Sequence, residues 1–414
     1  MIKAAVLVVL LAFLCNATPV RIEGVAKAPV GHKLEYLAAL WRHGDRAPSS
    51  AFKGDLYNQS YWDNGYGQLT NYGIEQQRQL GEWIFNRYVA ELRFLPTHFD
   101  GKAIKIQSTY YNRTHESALY NLRGMYGDNI TYDELDIFSI PGNETDVVGL
   151  PDFHCAYANT LSKETLKTKE VSAFVKKHQR VISEVGDAIS FNASKVVLLW
   201  ANLDPFVTEK KKGLRLAPQY EADYKEMREI YVRAIRFTYG LDIAPQNGLD
   251  WRYESVRMNA GGLLTRVYND LKAKGSCNFL NQHKPSCKED GIKDLKYRVF
   301  SMHDTNMLGL LNSFGFPEVD YDRNDNVELA SSFFIELWRS QLTSQRYVKL
   351  IYRRNATEIF DVSNQISGCK SVGKGLGCSL ESFLKRTEKF VIPDFDEYCA
   401  TQFKEDSETT TVSE

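Results

Sequence analysis

The chain has 414 residues, 43% of them hydrophobic and 25% charged, with a formal net charge of −1. That length is ample for a large buried core in one domain or two closely joined ones. The near-neutral balance excludes recognition of nucleic acid through a global basic field, so any anion must be held by a local cluster.

The first segment reads as a targeting signal. Lys3 gives a positive start, residues 4–14 are an unbroken apolar run, and Cys15-Asn16-Ala17 has the character of a cleavage site. Residues 1–17 are set apart as a signal peptide too short to span a membrane. No later apolar run reaches the roughly 18 residues a span requires. Residues 403–414 form a polar, disordered acidic tail with no retention address.

Residues 37–48 read LAALWRHGDRAP. An apolar run of strand length, residues 37–41, ends abruptly in Arg42-His43-Gly44-Asp45-Arg46, and Pro48 then favours a loop or a helix start. Two guanidiniums around an imidazole repel each other unless an anion lies between them, and phosphate matches forked donors best. Gly44 would let the backbone pass close to that anion and offer its N–H as another donor.

Residues 51–65, rich in Tyr, Asn, Gly and Asp, read as irregular surface. Gly67-Gln68-Leu69-Thr70 then leads into a helix to about Tyr88, with Thr70 or Asn71 as its N-cap. Leu80, Trp83, Ile84 and Tyr88 form an apolar face that should pack on the sheet. Residues 102–111 (KAIKIQSTYY) alternate as a second strand, followed by Arg113-Thr114 and a helix from about Ser117. A strand ending in Arg before a helix start repeats the first layout. Ligands of open α/β sheets bind past strand carboxyl ends, where helix N-termini favour anions.

From about residue 152 to 290 the pattern turns helical. Val171, Phe174, Val175, Val181, Ile182, Val185 and Ile189 keep a 3.6 period, as do Met227, Ile230, Tyr231, Ala234 and Ile235. Lys210-Lys211-Lys212 with Gly213 reads as a solvated loop. Strands return at residues 297–302 (YRVFSM), which end in His303-Asp304 before a helix through about Leu311. Residues 331–338 and 346–353 read as two further antiparallel strands. The expected fold is α/β, a central mixed sheet flanked by helices on both faces, with an inserted smaller α-helical cap domain. The core takes residues 18–151 and 291–402, and the cap residues 152–290, a natural seat for substrate selectivity.

Of seven cysteines, Cys155, Cys277, Cys287, Cys369, Cys378 and Cys399 remain once Cys15 is set apart. An even count in a secreted chain reads as disulfides, and no Cys/His cluster has zinc spacing. Short loops favour Cys277–Cys287 and Cys369–Cys378, which leaves Cys155–Cys399. Sequons at Asn58, Asn129, Asn143, Asn192 and Asn355 agree with export, whereas the one at Asn112 adjoins the pocket candidate Arg113.

Arg-His-Gly-x-Arg-x-Pro at residues 42–48, Arg113-Thr114, and His303-Asp304 about 260 residues past the first motif stand in a restrictive order. Together they resemble the histidine acid phosphatases, the branch of the histidine phosphatase superfamily marked by RHGxRxP. The run GQLTNYGIEQQRQLGEW and residues 259–264 are similar to the family as well, and the resemblance extends from about His32 to Cys399. It implies the same α/β fold. His115 and Glu116 depart from the apolar pair of the family pattern.

Phosphate monoesters hydrolyse very slowly in water, so an enzyme needs an in-line nucleophile, donors for the equatorial oxygens and a proton for the leaving group. His43 is the candidate nucleophile, forming a phosphohistidine, and the guanidiniums beside it disfavour its protonated form. Arg42, Arg46 and Arg113 would clamp the phosphoryl oxygens, with a protonated His303 as a fourth donor. Asp304 would be the proton donor and then the base for water. These roles match the family's residue by residue and call for no cofactor and no metal.

The resemblance implies a secreted acid phosphatase acting on small-molecule or phosphoprotein phosphomonoesters, exported or held in a lysosome-like compartment. No nucleic acid and no membrane span is expected, and since some relatives are dimers a homodimer stays open. One rival is a phytase-like inositol polyphosphate phosphatase, which HDTN at residues 303–306 fits equally, although Asp45 sets a carboxylate near the site. A mutase of the wider superfamily fits a secreted, disulfide-bonded chain less well. A catalytically silent scaffold of the same fold would be marked by loss of a core residue, and all six are present.

Overall fold

β1 (His32–Arg42) is buried along most of its length, and its alternation divides the interior in two. Tyr36, Ala38 and Leu40 join one apolar core, while Leu37, Ala39 and Trp41 join another. A strand covered on both faces reads as a continuous apolar run, which is why residues 37–41 stand out in the sequence. The structure, a computed structural model, describes residues 28–149, 154–191, 193–246, 248–277, 291–369, 372–373 and 376–401. The expected signal peptide, the acidic tail, Asn192 and the Cys287 half of Cys277–Cys287 lie outside the described residues.

The other strands are β2 (Ile104–Ser108), β3 (Tyr297–Met302), β4 (Ser332–Ser340), β5 (Arg346–Arg353), β6 (Ile359–Asp361) and β7 (Cys378–Ser379). Their order is β2-β3-β1-β4-β5-β6, with β7 also paired to β5. β2, β3 and β1 are parallel, and pairing turns antiparallel from β4 onward. Arg42 lies opposite Met302 and Ser108 opposite Ser301, so three carboxyl ends finish at one level. That register sets the residues following each strand side by side.

Helices cover both faces. α1 (Asn71–Ile84) and α2 (Asn112–Tyr126) bring Leu80, Ile84, Ala118 and Leu122 onto the face of Leu37 and Trp41. Each such Leu or Ile contributes roughly 2–3 kcal/mol by leaving water. On the other face lie α3 (Ala156–Lys167), α4 (Lys169–Lys177), α5 (Gln179–Ile189), α6 (Leu198–Ala201), α7 (Asp204–Lys211), α8 (Pro218–Thr238) and α9 (Trp251–Ser276). α10 (Asp304–Ser313), α11 (Leu380–Glu388) and α12 (Phe395–Ala400) complete the set, and none of the described helices is long and apolar enough to cross a membrane.

Three local differences from the sequence expectation have physical causes. Thr70 caps α1, accepting from the Gly73 N–H at 3.1 Å, but the helix continues past Tyr88 as a π-helical turn, Phe85–Glu91. The widened turn lets consecutive Arg87 and Tyr88 reach one fully buried carboxylate, Glu336, at 2.7 and 2.8 Å. β2 stops at Ser108, and α2 begins at Asn112 rather than near Ser117, so Arg113 sits in its first turn.

Cys155–Cys399 joins the start of α3 to α12 with Cα atoms 4.8 Å apart, and Cys369–Cys378 closes a short loop at 5.4 Å. Asn58, Asn129 and Asn143 are exposed. The Asn355 amide instead donates to Glu328 and Glu358, at 3.1 and 2.7 Å.

Candidate active site

After β1 the chain turns tightly against the first turn of α1. A Cβ added at Gly44 would lie 2.2 Å from the Gly73 carbonyl oxygen, and one at Gly73 would lie 2.0 Å from that of Asp45. The two glycines therefore allow backbone-to-backbone contact. The Thr70 N–H donates to the Asp45 carbonyl at 2.9 Å, and Gln77 Nε2 donates to the Arg42 carbonyl at 3.0 Å. The Gly44 N–H is spent on Ser117 Oγ at 3.2 Å, so Gly44 serves this packing and not the anion contact its position in the motif suggested.

His43 is buried, and its Nδ1 lies 2.8 Å from the Gly44 carbonyl, which assigns the ring proton to Nδ1 and leaves the Nε2 lone pair uncommitted. Burial pushes its pKa well below the ordinary 6.5, and the charges of Arg113, Arg42, Arg46 and His303 push the same way. The imidazole stays neutral in acid, the state a nucleophile requires.

Three guanidiniums surround it. Arg46 gives Nη2 and Nη1 to the two oxygens of Asp204, at 2.7 and 3.0 Å, and Nη1 also to the Ala47 carbonyl at 3.0 Å. Arg42 gives Nη1 to the Val327 carbonyl at 2.5 Å and Nη2 to Asp304 Oδ2 at 2.7 Å. Arg113 lies over the Tyr111 ring, 4.2 Å from its centroid. The Nε–H of each of the three is buried and has no partner among the described residues. An unmatched buried donor costs about 1–3 kcal/mol, and the charges of these same three side chains act on His43, which makes this a candidate oxyanion site. Burial and then the charge of Arg46 push Arg113 down to about 10. Burial alone would raise Asp204, but Arg46 overrides it and holds the carboxyl at about 2.

His303 follows β3, with Nε2 2.8 Å from Thr109 Oγ1 and its ring edge-on to Tyr111 and His43. Burial, then Arg113, Arg46 and Arg42, hold its pKa well below 6.5, which works against the protonated form of the sequence reading. A neutral ring still donates through one nitrogen. Asp304 opens α10; Oδ2 accepts from Arg42 and from Asn326 Nδ2 at 2.8 Å, and Oδ1 accepts from the Thr305 N–H at 2.9 Å. Asn326 also donates to the Tyr231 hydroxyl at 2.9 Å. The fold thus gathers Arg42, His43, Arg46, Arg113, His303 and Asp304 at one end of the parallel strands, whereas His115 turns away to pair with Tyr132.

A cavity of about 420 Å³ opens beside Arg42 and Arg46, and its far wall comes from α7, α8 and the loop before β4. Here the sequence reading of Lys210-Lys211-Lys212 as a solvated loop fails. Lys210 and Lys211 end α7, Lys211 and Lys212 line the cavity, and the Lys212 ammonium pairs with Asp45 Oδ2, which also accepts from Thr70 Oγ1 at 2.6 Å. Asp204, Tyr231, Asn326 and Thr109 belong to the site but to no motif. Asp204-Pro205 announces only a helix start, and Thr109 alone, next to a strand end, carried a usable signal. A larger cavity of about 620 Å³ lies by His32, at the opposite end of β1, away from this chemistry. Among the described residues no group of three or more His, Cys, Asp or Glu is placed to hold a metal ion.

Against known proteins, the model of the histidine phosphatase superfamily (branch 2) matches residues 33–353. Lysosomal acid phosphatase of Homo sapiens is 24% identical over 375 residues, covering 88% of this chain and 80% of that protein. Prostatic acid phosphatase of Homo sapiens is 25% identical over 385 residues, covering 91% and 90%. Among solved structures, the phytase from Citrobacter braakii matches with a TM-score of 0.59 at 15% identity, covering 89% of this chain and 100% of that one, a likeness of fold alone.

Proposed function

The chain belongs to branch 2 of the histidine phosphatase superfamily, and from that premise we propose that it is an acid phosphatase hydrolysing phosphate monoesters through a phosphohistidine on His43. One observation supports the reading: an imidazole whose pKa is held well below 6.5, with Nδ1 on the Gly44 carbonyl, beside three guanidiniums whose buried Nε–H donors have no partner among the described residues.

His43 Nε2 attacks phosphorus as the ester P–O bond breaks. Arg42, Arg46 and Arg113 take the charge on the equatorial oxygens in a site shielded from water, where fixed donors act most strongly. Asp304 gives its proton to the departing alkoxide, held in place by Asn326 and Arg42. As a carboxylate it then takes a proton from water, which attacks phosphorus; the N–P bond breaks and inorganic phosphate leaves. His303, fixed by Thr109, sets its ring edge-on beside His43. None of these steps calls on a metal ion.

The helical segment acts as the cap, because α7 and α8 supply the cavity wall where a leaving group would lie. Disulfides Cys155–Cys399 and Cys369–Cys378 support an oxidising compartment, exported or lysosome-like. The similarity to lysosomal and prostatic acid phosphatases supports the same reading. Asp45, Asp204, Asp325 and Glu328 line the cavity, and such carboxylates work against a densely charged inositol polyphosphate.

The test is hydrolysis of phenyl phosphate near pH 5 with chelator present, comparing the purified chain with His43→Ala. Turnover by the native chain and none by the variant is expected. A folded native chain that leaves phenyl phosphate intact overturns the general phosphatase reading, and inositol hexakisphosphate then separates a narrow enzyme from a silent scaffold.

A further inference from the structure

Five cations line the cavity beside the phosphate clamp: Arg42, Arg46, Lys211, Lys212 and Arg323. Four are matched, Arg42 by Asp304, Arg46 by Asp204, Lys212 by Asp45, and Arg323 by Asp320 and Glu328. Lys211 has no hydrogen bond or ion pair among the described residues. The carboxylate that acts on it most, Asp325, is shared with Arg228, which it bonds at 2.9 Å. Lys211 keeps an exposed surface on the cavity, yet the concave wall still desolvates its ammonium. Burial above all lowers its pKa; Asp325 works against that, and Arg42, Arg228 and Arg323 add to it. A lone ammonium among guanidiniums is stabilised by an anion brought from outside.

We propose that Lys211 reads a second anionic group on the leaving-group side of the substrate, so that the preferred esters are phosphomonoesters bearing one further oxyanion. This deepens the phosphatase reading and rests on it. A surplus of one cation suits one added anionic group and not a ring of phosphates. Lys211 shares this cavity with Arg42 and Arg46, so an alcohol portion running into it from a phosphate held on those guanidiniums would meet the ammonium. The head could be a carboxylate or a phosphonate oxygen, since an ammonium recognises both as a point charge.

The experiment uses the full chain and a series of ω-substituted alkyl phosphates of increasing length, ending in a carboxylate, a methylphosphonate or a neutral carboxamide, with phenyl phosphate alongside. At the best length the native chain favours a charged end over the carboxamide by about fivefold in kcat/KM. The ratio falls to about one in Lys211→Met and is retained in Lys211→Arg. Because the readout is a ratio within each variant, any loss common to both esters cancels. Whichever charged end shows the preference identifies the oxyanion. A native ratio near one at every length, or a preference that survives Lys211→Met, overturns the proposal alone. A native chain that hydrolyses neither these esters nor phenyl phosphate overturns the phosphatase reading, and this one with it.

Discussion

Asp204 grips both terminal nitrogens of Arg46, at 2.7 and 3.0 Å, across 158 residues of sequence. The carboxylate comes from the helical segment and the guanidinium from the loop after β1, so one ion pair ties the orientation of Arg46 to that segment. End-on pairing also leaves the side of Arg46 that carries Nε–H free to meet an oxyanion.

Asp204→Asn keeps the shape and removes the charge. The expected result is a fall in kcat/KM of about 10²-fold as Arg46 loses its fixed orientation. Breaking a buried pair also costs about 3 kcal/mol of stability. Steady-state kinetics beside thermal unfolding would check both. A variant that keeps native kcat/KM would show that Arg46 needs no anchor.

The acid limb of the rate profile follows from the fields at His43. Burial and the cations Arg113, Arg42 and Arg46 depress its pKa, so the neutral nucleophile persists below pH 6.5. Removing one cation in Arg113→Met raises the His43 pKa, and the acid limb of kcat/KM moves to higher pH. The position of the limb is the readout, separate from the loss of rate. A limb that stays put or moves to lower pH would mean another group governs it.

If Asp304 supplies the leaving-group proton, its loss must weigh most on esters that leave poorly. Asp304→Asn is expected to slow alkyl phosphates by about 10³-fold and 4-nitrophenyl phosphate far less. Comparable losses on both would assign Asp304 to holding Arg42 instead.

Much of this site was legible because its residues follow strands whose hydrophobic pattern stands out in the sequence. Arg42, His43, Arg46, His303 and Asp304 follow largely apolar runs, Arg113 follows an alternating one, and the parallel register of β1, β2 and β3 brings them together. What periodicity could not reveal were contacts made across long sequence separations. Asp204 and Asn326 look like an ordinary helix start and an ordinary loop residue, and only the fold turns them toward Arg46 and Asp304. Lys211 and Lys212 failed for a related reason, since a run of lysines carries no mark of the concave surface it lines. The summed effect of burial and three guanidiniums on His303 could not be read from the sequence. The π-helical turn at Phe85–Glu91 likewise answers to a distant partner, Glu336 on β4.

A buried acid pair makes stability depend on pH. Among the described residues both Glu209 oxygens are buried with no hydrogen-bond partner, and burial, then Asp55, push Glu209 up to about 8. Unfolded Glu titrates at 4.5, so the native state holds a proton that the unfolded chain releases between 4.5 and about 8. Stability is therefore lost as pH rises through that window. Glu209→Gln removes the dependence, and its Tm should exceed the native value by about 2 °C more at about pH 8.5 than at about pH 5. An equal difference at both would show that the pair does not share a proton.

The phosphohistidine is the central claim, and trapping it is the most direct measurement. The native chain would be mixed with radiolabelled substrate, quenched in alkali within one turnover, and its peptides mapped. The account predicts an acid-labile, base-stable label on the peptide containing His43, absent from His43→Ala. No label during active turnover, or a label that persists in His43→Ala, would contradict it.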